Sequence, residues 1–200
     1  MLTPEQIMRH SDPNPDEDPW VDGPPATDEI VVVDYDPAWP DTYRTLAQEI
    51  RAALGDAVLA LDHVGSTSVP GLAAKPIIDI DLTVASSTDE DLYVPALEPL
   101  GYRLTIREPS FHGHRCLQRA EPAVNLHVWS PDSPEIVRHA IFRDWLREHP
   151  DERERYAAAK APAADEADGD MREYNLLKQD VIREIYGRAF RARGWVDPGS

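Results

Sequence analysis

The chain has 200 residues, which suits a single domain with a sizeable core. Its formal charge of −17 argues against wrapping nucleic acid or docking on an anionic membrane, since both need surplus Lys and Arg. Cys116 is the sole cysteine, which excludes an internal disulfide and a cysteine zinc cluster. No apolar run approaches 18 residues and the N-terminus has no basic start or apolar core of a leader, so a cytoplasmic protein is expected.

Residues 1–29 carry six prolines, eight acidic residues and one arginine, and read as a flexible extension that does not join the core. A short helix over Thr3–His10 fits inside it, with Thr3 as N-cap and Pro4 in the first turn. Ile30–Val33 reads as a strand and Pro37–Leu54 as a helix with Tyr43, Leu46, Ile50 and Leu54 on one stripe. Strands follow at Val58–Val64 and Ile77–Val84. A helix interrupted at Pro95 spans Asp89–Leu100. Tyr102–Ile106, His114–Arg119 and Ala123–Trp129 read as strands, and Ser133–His149 as a helix. Pro162–Asp170 is acidic and alanine-rich and reads as a mobile loop between the helices Glu152–Lys160 and Met171–Arg193. Gly194 stops the last helix, leaving 195–200 as a tail. The pattern predicts an α/β (α+β) fold: a mixed sheet flanked by helices with a helical C-terminal part, a single domain over 30–194.

In Ile78-Asp79-Ile80-Asp81-Leu82, apolar and acidic residues alternate, so Asp79 and Asp81 share one face of a strand. Two carboxylates about 6–7 Å apart repel each other, a cost recovered by binding a cation; carboxylates and water suit Mg²⁺ or Mn²⁺. A solvated polar face is the other reading. Upstream, Gly65-Ser66-Thr67-Ser68 follows the strand ending at Val64. Small-residue turns let backbone N–H groups approach an anion, and hydroxyls add donors. Together the two segments have the layout of a site for a nucleoside triphosphate and its metal. Neither a Walker A loop nor G-x-G-x-x-G is present.

The run from His63 to Leu82, H-V-G-S-T-S-V-P-G-L-A-A-K-P-I-I-D-I-D-L, resembles the GrpB family, which lies in the nucleotidyltransferase superfamily. So do Tyr35-Asp36-Pro37-Ala38-Trp39, Asn125-Leu126-His127-Val128 (Asn125 standing where the family has a first His), Phe142 to Arg147, Tyr156 to Lys160 and Tyr174 to Lys178. The resemblance covers about residues 30–190. It implies a nucleotidyltransferase-like fold and a nucleotide-handling site, without supplying a substrate. In that superfamily a third carboxylate on a later strand completes the metal site; here the matching strand offers Asn125 and His127. His127 could be a metal ligand, a general base or a phosphate partner, or a hydrogen-bonded sheet histidine.

Lys75, Arg115, Arg143 and Lys178 are the candidate phosphate cations, each alternatively a solvated or ion-paired side chain. Tyr174 and Lys178 are four apart on one helix face, so the ring could stack on a base while the ammonium reaches phosphate. Two functions follow. One is metal-dependent nucleotidyl transfer from an NTP, expected to be ATP, to a small molecule or protein side chain, with Asp79, Asp81 and His127 at the reacting centre. The other is a non-catalytic nucleotide-binding or interaction module on the same fold.

Overall fold

The structure, a computed structural model, describes residues 2–11, 14, 16–24 and 30–196. Five strands form one sheet: β1 (Ala60–Val64), β2 (Ile78–Thr83), β3 (Arg103–Glu108), β4 (His114–Arg119) and β5 (Val124–Trp129), in the order β1-β2-β5-β4-β3. β2 and β5 run parallel and every other pairing is antiparallel. This is the mixed sheet that the alternation of patterns predicts.

Parity along the strands separates two faces. Ile78, Ile80 and Leu82 of β2 and Val124, Leu126 and Val128 of β5 are buried on one face. There they meet helix α2 (Trp39–Leu54), whose Leu46, Ile50 and Leu54 recur at four-residue spacing, and the short α3 (Val94–Leu97). Proline sits in the first turn of both helices, where no N–H is missed. The opposite face carries Asp79, Asp81, Asn125 and His127, and lies under α4 (Pro134–Glu148), α5 (Pro150–Glu166), α6 (Met171–Leu177) and α7 (Gln179–Ala192). One face is therefore dry core; the other is polar and enclosed by helices.

Four segments differ from their sequence-based expectation. Ile30–Val33 adds no strand: only Val33 pairs, exchanging two 2.9 Å backbone bonds with Ala74 outside the sheet. Pro162 lies inside α5, which runs on to Glu166, and Ala163 and Ala167 are buried with Tyr174. Small side chains that suggested a loop instead permit close helix packing. The last helix is broken at Lys178, between α6 and α7.

The N-terminal extension also packs. Helix α1 (Pro4–Met8) starts from a capping box, Thr3 with Gln6, and buries Ile7 against Ile141, Tyr186 and Phe190. Arg138 donates to Arg9 O (2.9 Å) and bonds His10. Residues 19–21 line the outer edge of β3, through Arg107 N to Pro19 O (2.8 Å) and Val21 N to Thr105 O (3.0 Å). Covering that edge removes an open row of strand donors and acceptors. The expected boundary between residues 29 and 30 lies outside the described residues, as do 197–200. Trp195 and Val196 pack against the α1 cluster, and Gly194 takes the left-handed conformation (φ 70°) expected of a helix stop.

Candidate functional site

β1 ends at Val64, directly opposite Asp79. The chain then turns through Gly65 at φ 65° and ψ −170°, a conformation open to glycine, into a short 3-10 turn over Ser66–Ser68. A Cβ on Gly65 would lie 2.2 Å from Asp79 Oδ2, so only glycine lets the turn sit on that carboxylate. The Gly-Ser turn and the first aspartate thus lie in direct contact.

The three hydroxyls of the turn divide. Ser66 lines a cavity of about 480 Å³ together with Gly65, Lys75, Asp79, Asn125 and His127. Thr67 and Ser68 are buried and hold the turn itself: Thr67 Oγ1 donates to Ile77 O (3.2 Å) and Ser68 Oγ to Gly65 O (2.6 Å). The expected phosphate donors therefore reduce to Ser66. His63 is likewise structural. It stacks on Tyr43 (4.7 Å between centroids) and meets Thr67 at 3.1 Å, and burial pushes its pKa down to about 4.

The two aspartates differ although they share a face. Asp79 keeps Oδ2 toward the turn while Oδ1 accepts from Asn125 Nδ2 (2.9 Å). His127 Nε2 stands 3.8 Å from the same oxygen. Burial works against the Asp79 charge, but His127, Asn125 and Lys75 outweigh it and hold the carboxyl below its usual range. Asp81 is 2% exposed, and both its oxygens are engaged. Trp129 Nε1 donates to Oδ1 (2.9 Å), and His139 Nδ1 on α4 lies 2.9 Å from Oδ2 and 3.1 Å from Oδ1. Burial disfavours a charged His139, yet Asp81 overcomes it and raises the histidine pKa.

Among the described residues, no three His, Cys, Asp or Glu side chains converge at metal-holding spacing. The side chains thus do not fit a cage of protein ligands with Asp81 as a member. Asp79, with His127 Nε2 3.8 Å away, is the carboxylate that could hold a hard cation, ligand oxygens or water completing its shell.

His127 belongs to a chain of side chains crossing the sheet. Its Nδ1 is 3.0 Å from His114 Nε2, and His114 Nδ1 is 2.7 Å from Glu108 Oε2. Burial disfavours the His127 charge, and Cys116 and the two aspartates overcome it, so its pKa stands well above the ordinary value. His114, buried between neighbours, is pushed down to about 4.

Positive charge gathers at the Asp79 end of the cavity. Lys75, Lys160 and Lys178 all line it. Lys160 Nζ donates to Ser66 Oγ (2.7 Å) and Ala73 O (2.8 Å). Lys178 Nζ lies 3.6 Å and Lys75 Nζ 4.9 Å from the Tyr174 ring centroid, and Lys160 Nζ lies 4.6 Å from that of Tyr156. The Tyr174 ring, 2% exposed, thus serves as a platform for ammonium groups instead of a free face for a base. Burial, with repulsion between neighbouring lysines, pushes Lys160 and Lys178 down to about 7.

Two expected cations lie elsewhere. Arg115 pairs in register with Val128, so it projects to the opposite face, where Nε donates to Glu90 (2.6 Å). Arg143 ties α4 to β1, donating to His63 O (3.1 Å) and to Asp144 (2.7 Å). Sequence reasoning gave Tyr156 and Lys160 a place in the family resemblance but no role at the site, and missed His139 and His114. One signal for Lys160 was available: Tyr156-x₃-Lys160 repeats the spacing of Tyr174-x₃-Lys178.

The sheet order, the glycine turn seated on an aspartate and the cavity beside them define a small α/β domain with lysines, histidines and an aspartate in the wall of one cavity. The chain belongs to the GrpB family: the GrpB protein family profile matches residues 29–188. It is 45% identical over 165 residues to a UPF0157 protein of Halalkalibacterium halodurans, covering 82% of this chain and 85% of that protein. Identity to a UPF0157 protein of Streptomyces coelicolor is 42% over 171 residues, 86% and 90% of the two chains. A dephospho-CoA kinase of Mycolicibacterium paratuberculosis is 32% identical over 194 residues; the match takes in 84% of this chain and 47% of that enzyme. The crystal structure of the conserved protein GrpB from Enterococcus faecalis superposes with a TM-score of 0.72 at 32% identity, over 82% of this chain and 99% of that one. No helix among the described residues is long and apolar enough to cross a membrane.

Proposed function

We propose that the cavity binds a nucleoside triphosphate with a divalent cation, and that the protein transfers a nucleotidyl group to a small-molecule or protein acceptor in the cytoplasm. One observation carries this reading: the Gly65-Ser66 turn rests on the Asp79 carboxylate inside a cavity walled by lysines, in a chain of net charge −17. Local positive charge against so strong a negative background selects an anion, and Asp79 beside it adds a seat for a cation.

In this reading Asp79 would hold Mg²⁺ or Mn²⁺, which supplies charge neutralisation at the phosphate. The backbone of Gly65 and the hydroxyl of Ser66 grip phosphate oxygens. Asn125 fixes the Asp79 carboxylate through its 2.9 Å bond. His127, oriented by His114, faces the Asp79 side of the cavity and is positioned to exchange a proton with an acceptor. Asp81 orients Trp129 and His139 and stays out of the metal shell. The name of the mycobacterial relative supplies no activity here, because under half of that enzyme is matched.

A thermal-shift series with each NTP, with and without Mg²⁺, tests binding, and pyrophosphate release over a metabolite panel tests transfer. We expect metal-dependent stabilisation that Asp79→Asn abolishes. A specific observation favours a second reading, a nucleotide-binding module without chemistry: Asp81 is fully engaged, and the β5 residues opposite the aspartates are Asn125 and His127, neither a carboxylate. Metal-dependent stabilisation without pyrophosphate release on any acceptor would establish that module instead.

A further inference from the structure

The chain contains three lysines among its twenty basic residues; the other seventeen are arginines. All three lysines line the same cavity, from separate parts of the fold. Lys75 comes from the loop before β2, Lys160 from α5, and Lys178 from the break between α6 and α7. Arginine fills every other basic position, Arg138 and Arg183 of the same cavity included, and the ammonium group occurs only here. The two groups are not equivalent: guanidinium is a wide planar fork, whereas ammonium is a compact charge that fits into a corner.

The corners are built. Lys160 is 2% and Lys178 7% exposed. Each lies over the tyrosine four residues before it on its own helix segment, Tyr156 and Tyr174, and Lys75 shares the Tyr174 ring. Lys160 donates to two neutral oxygens, of Ser66 and Ala73. Asp79 is the carboxylate whose charge acts on all three lysines. Buried charge of one sign is costly unless an opposite charge joins it.

We propose that Lys75, Lys160 and Lys178 with Ser66 form a subsite for linked phosphates, a diphosphate or triphosphate group, that holds them without a metal ion. This deepens the nucleotide reading by placing the distal phosphates at the lysine end. The ligand is a chain of phosphates and not a single one, because the three ammonium groups are carried by three separate segments of the fold. Depressed lysine pKa values agree with a cluster whose counter-charge comes with the ligand.

The test uses the native full chain in EDTA with inorganic probes: tripolyphosphate, pyrophosphate and orthophosphate. Because the chain has three lysines, acetylation of each by a water-soluble ester can be followed by peptide mass spectrometry. We expect tripolyphosphate and pyrophosphate to slow acetylation of Lys160 and Lys178 at least tenfold, and orthophosphate at equal concentration to slow it less than twofold. Calorimetric binding of tripolyphosphate should weaken at least tenfold in Lys160→Gln and in Lys178→Gln. Equal protection by orthophosphate, or no protection by any of the three, overturns the subsite. Protection by tripolyphosphate in a protein that shows no Mg-dependent response to any NTP would refute the nucleotide reading and leave the subsite standing.

Discussion

Gly65 is the residue at which sequence and site meet most directly. Its left-handed backbone and the 2.2 Å approach that a Cβ would make to Asp79 penalise any side chain twice. Gly65→Ala should cost about 2 kcal/mol, lowering Tm by about 4–8 °C for a domain of this size, and should abolish nucleotide binding; calorimetry checks both. The aspartates separate by the same logic. Asp79→Asn keeps an acceptor for Asn125 and should change stability by less than about 1 kcal/mol. Asp81→Ala leaves Trp129 Nε1 and His139 without their buried partner and should cost about 3 kcal/mol, measured by urea unfolding. His139 gives an independent readout. Asp81 raises its pKa against the effect of burial, so the pair's stabilisation is complete below the unfolded histidine pKa of about 6.5 and is lost as pH rises through the folded value. In Asp81→Asn the NMR-detected His139 titration should move to lower pH.

At the scale of elements, amphipathic pattern located helices and strands well, but not which of them dock. Thr3 and Pro4 marked the start of α1 correctly; that Ile7 is 6% exposed depends on a groove between α4 and α7 that a local reading cannot see. Ile7→Asp should therefore undock α1 and lower Tm by about 4–8 °C, for a loss of about 2 kcal/mol of burial, while the sheet remains folded by far-UV circular dichroism. An unchanged Tm would mean that α1 contributes nothing to the stability of the domain. The same blindness affected Pro162–Asp170. Alanine, acid and proline suggest a loop until Tyr174 and α6 are there to cover the small side chains.

For the molecule as a whole, charge distribution matters more than total charge. The surface is strongly acidic, and the lysines are gathered inside. Burial and mutual repulsion hold Lys160 and Lys178 near 7, far below an unfolded lysine at about 10.4. Between those values the unfolded chain binds more protons, so stability should rise as pH increases from 7 toward 10 and fall on the way back. Urea midpoints measured from pH 7 to 9.5 should show that slope, and Lys160→Gln with Lys178→Gln should flatten it. A slope unchanged in the double variant would show that the lysines are solvated in the folded protein.

The sequence by itself determined which residues meet at the nucleus of the candidate site. Period-two alternation put Asp79 and Asp81 on one face of β2, the glycine turn lay at the right distance to meet Asp79, and the apolar parity of β5 set His127 toward them. These are consequences of strand geometry and need no partner. Tertiary structure decided everything that depends on which surfaces meet. Register across β4 and β5 turned Arg115 to the far face, because a one-residue change of parity reverses every side chain. The docking of α4 brought His139 onto Asp81 and engaged that carboxylate inside the protein. The convergence of α5 and the α6–α7 break placed Lys160 and Lys178 in the cavity with Lys75, residues separated by up to 103 positions that only packing brings together.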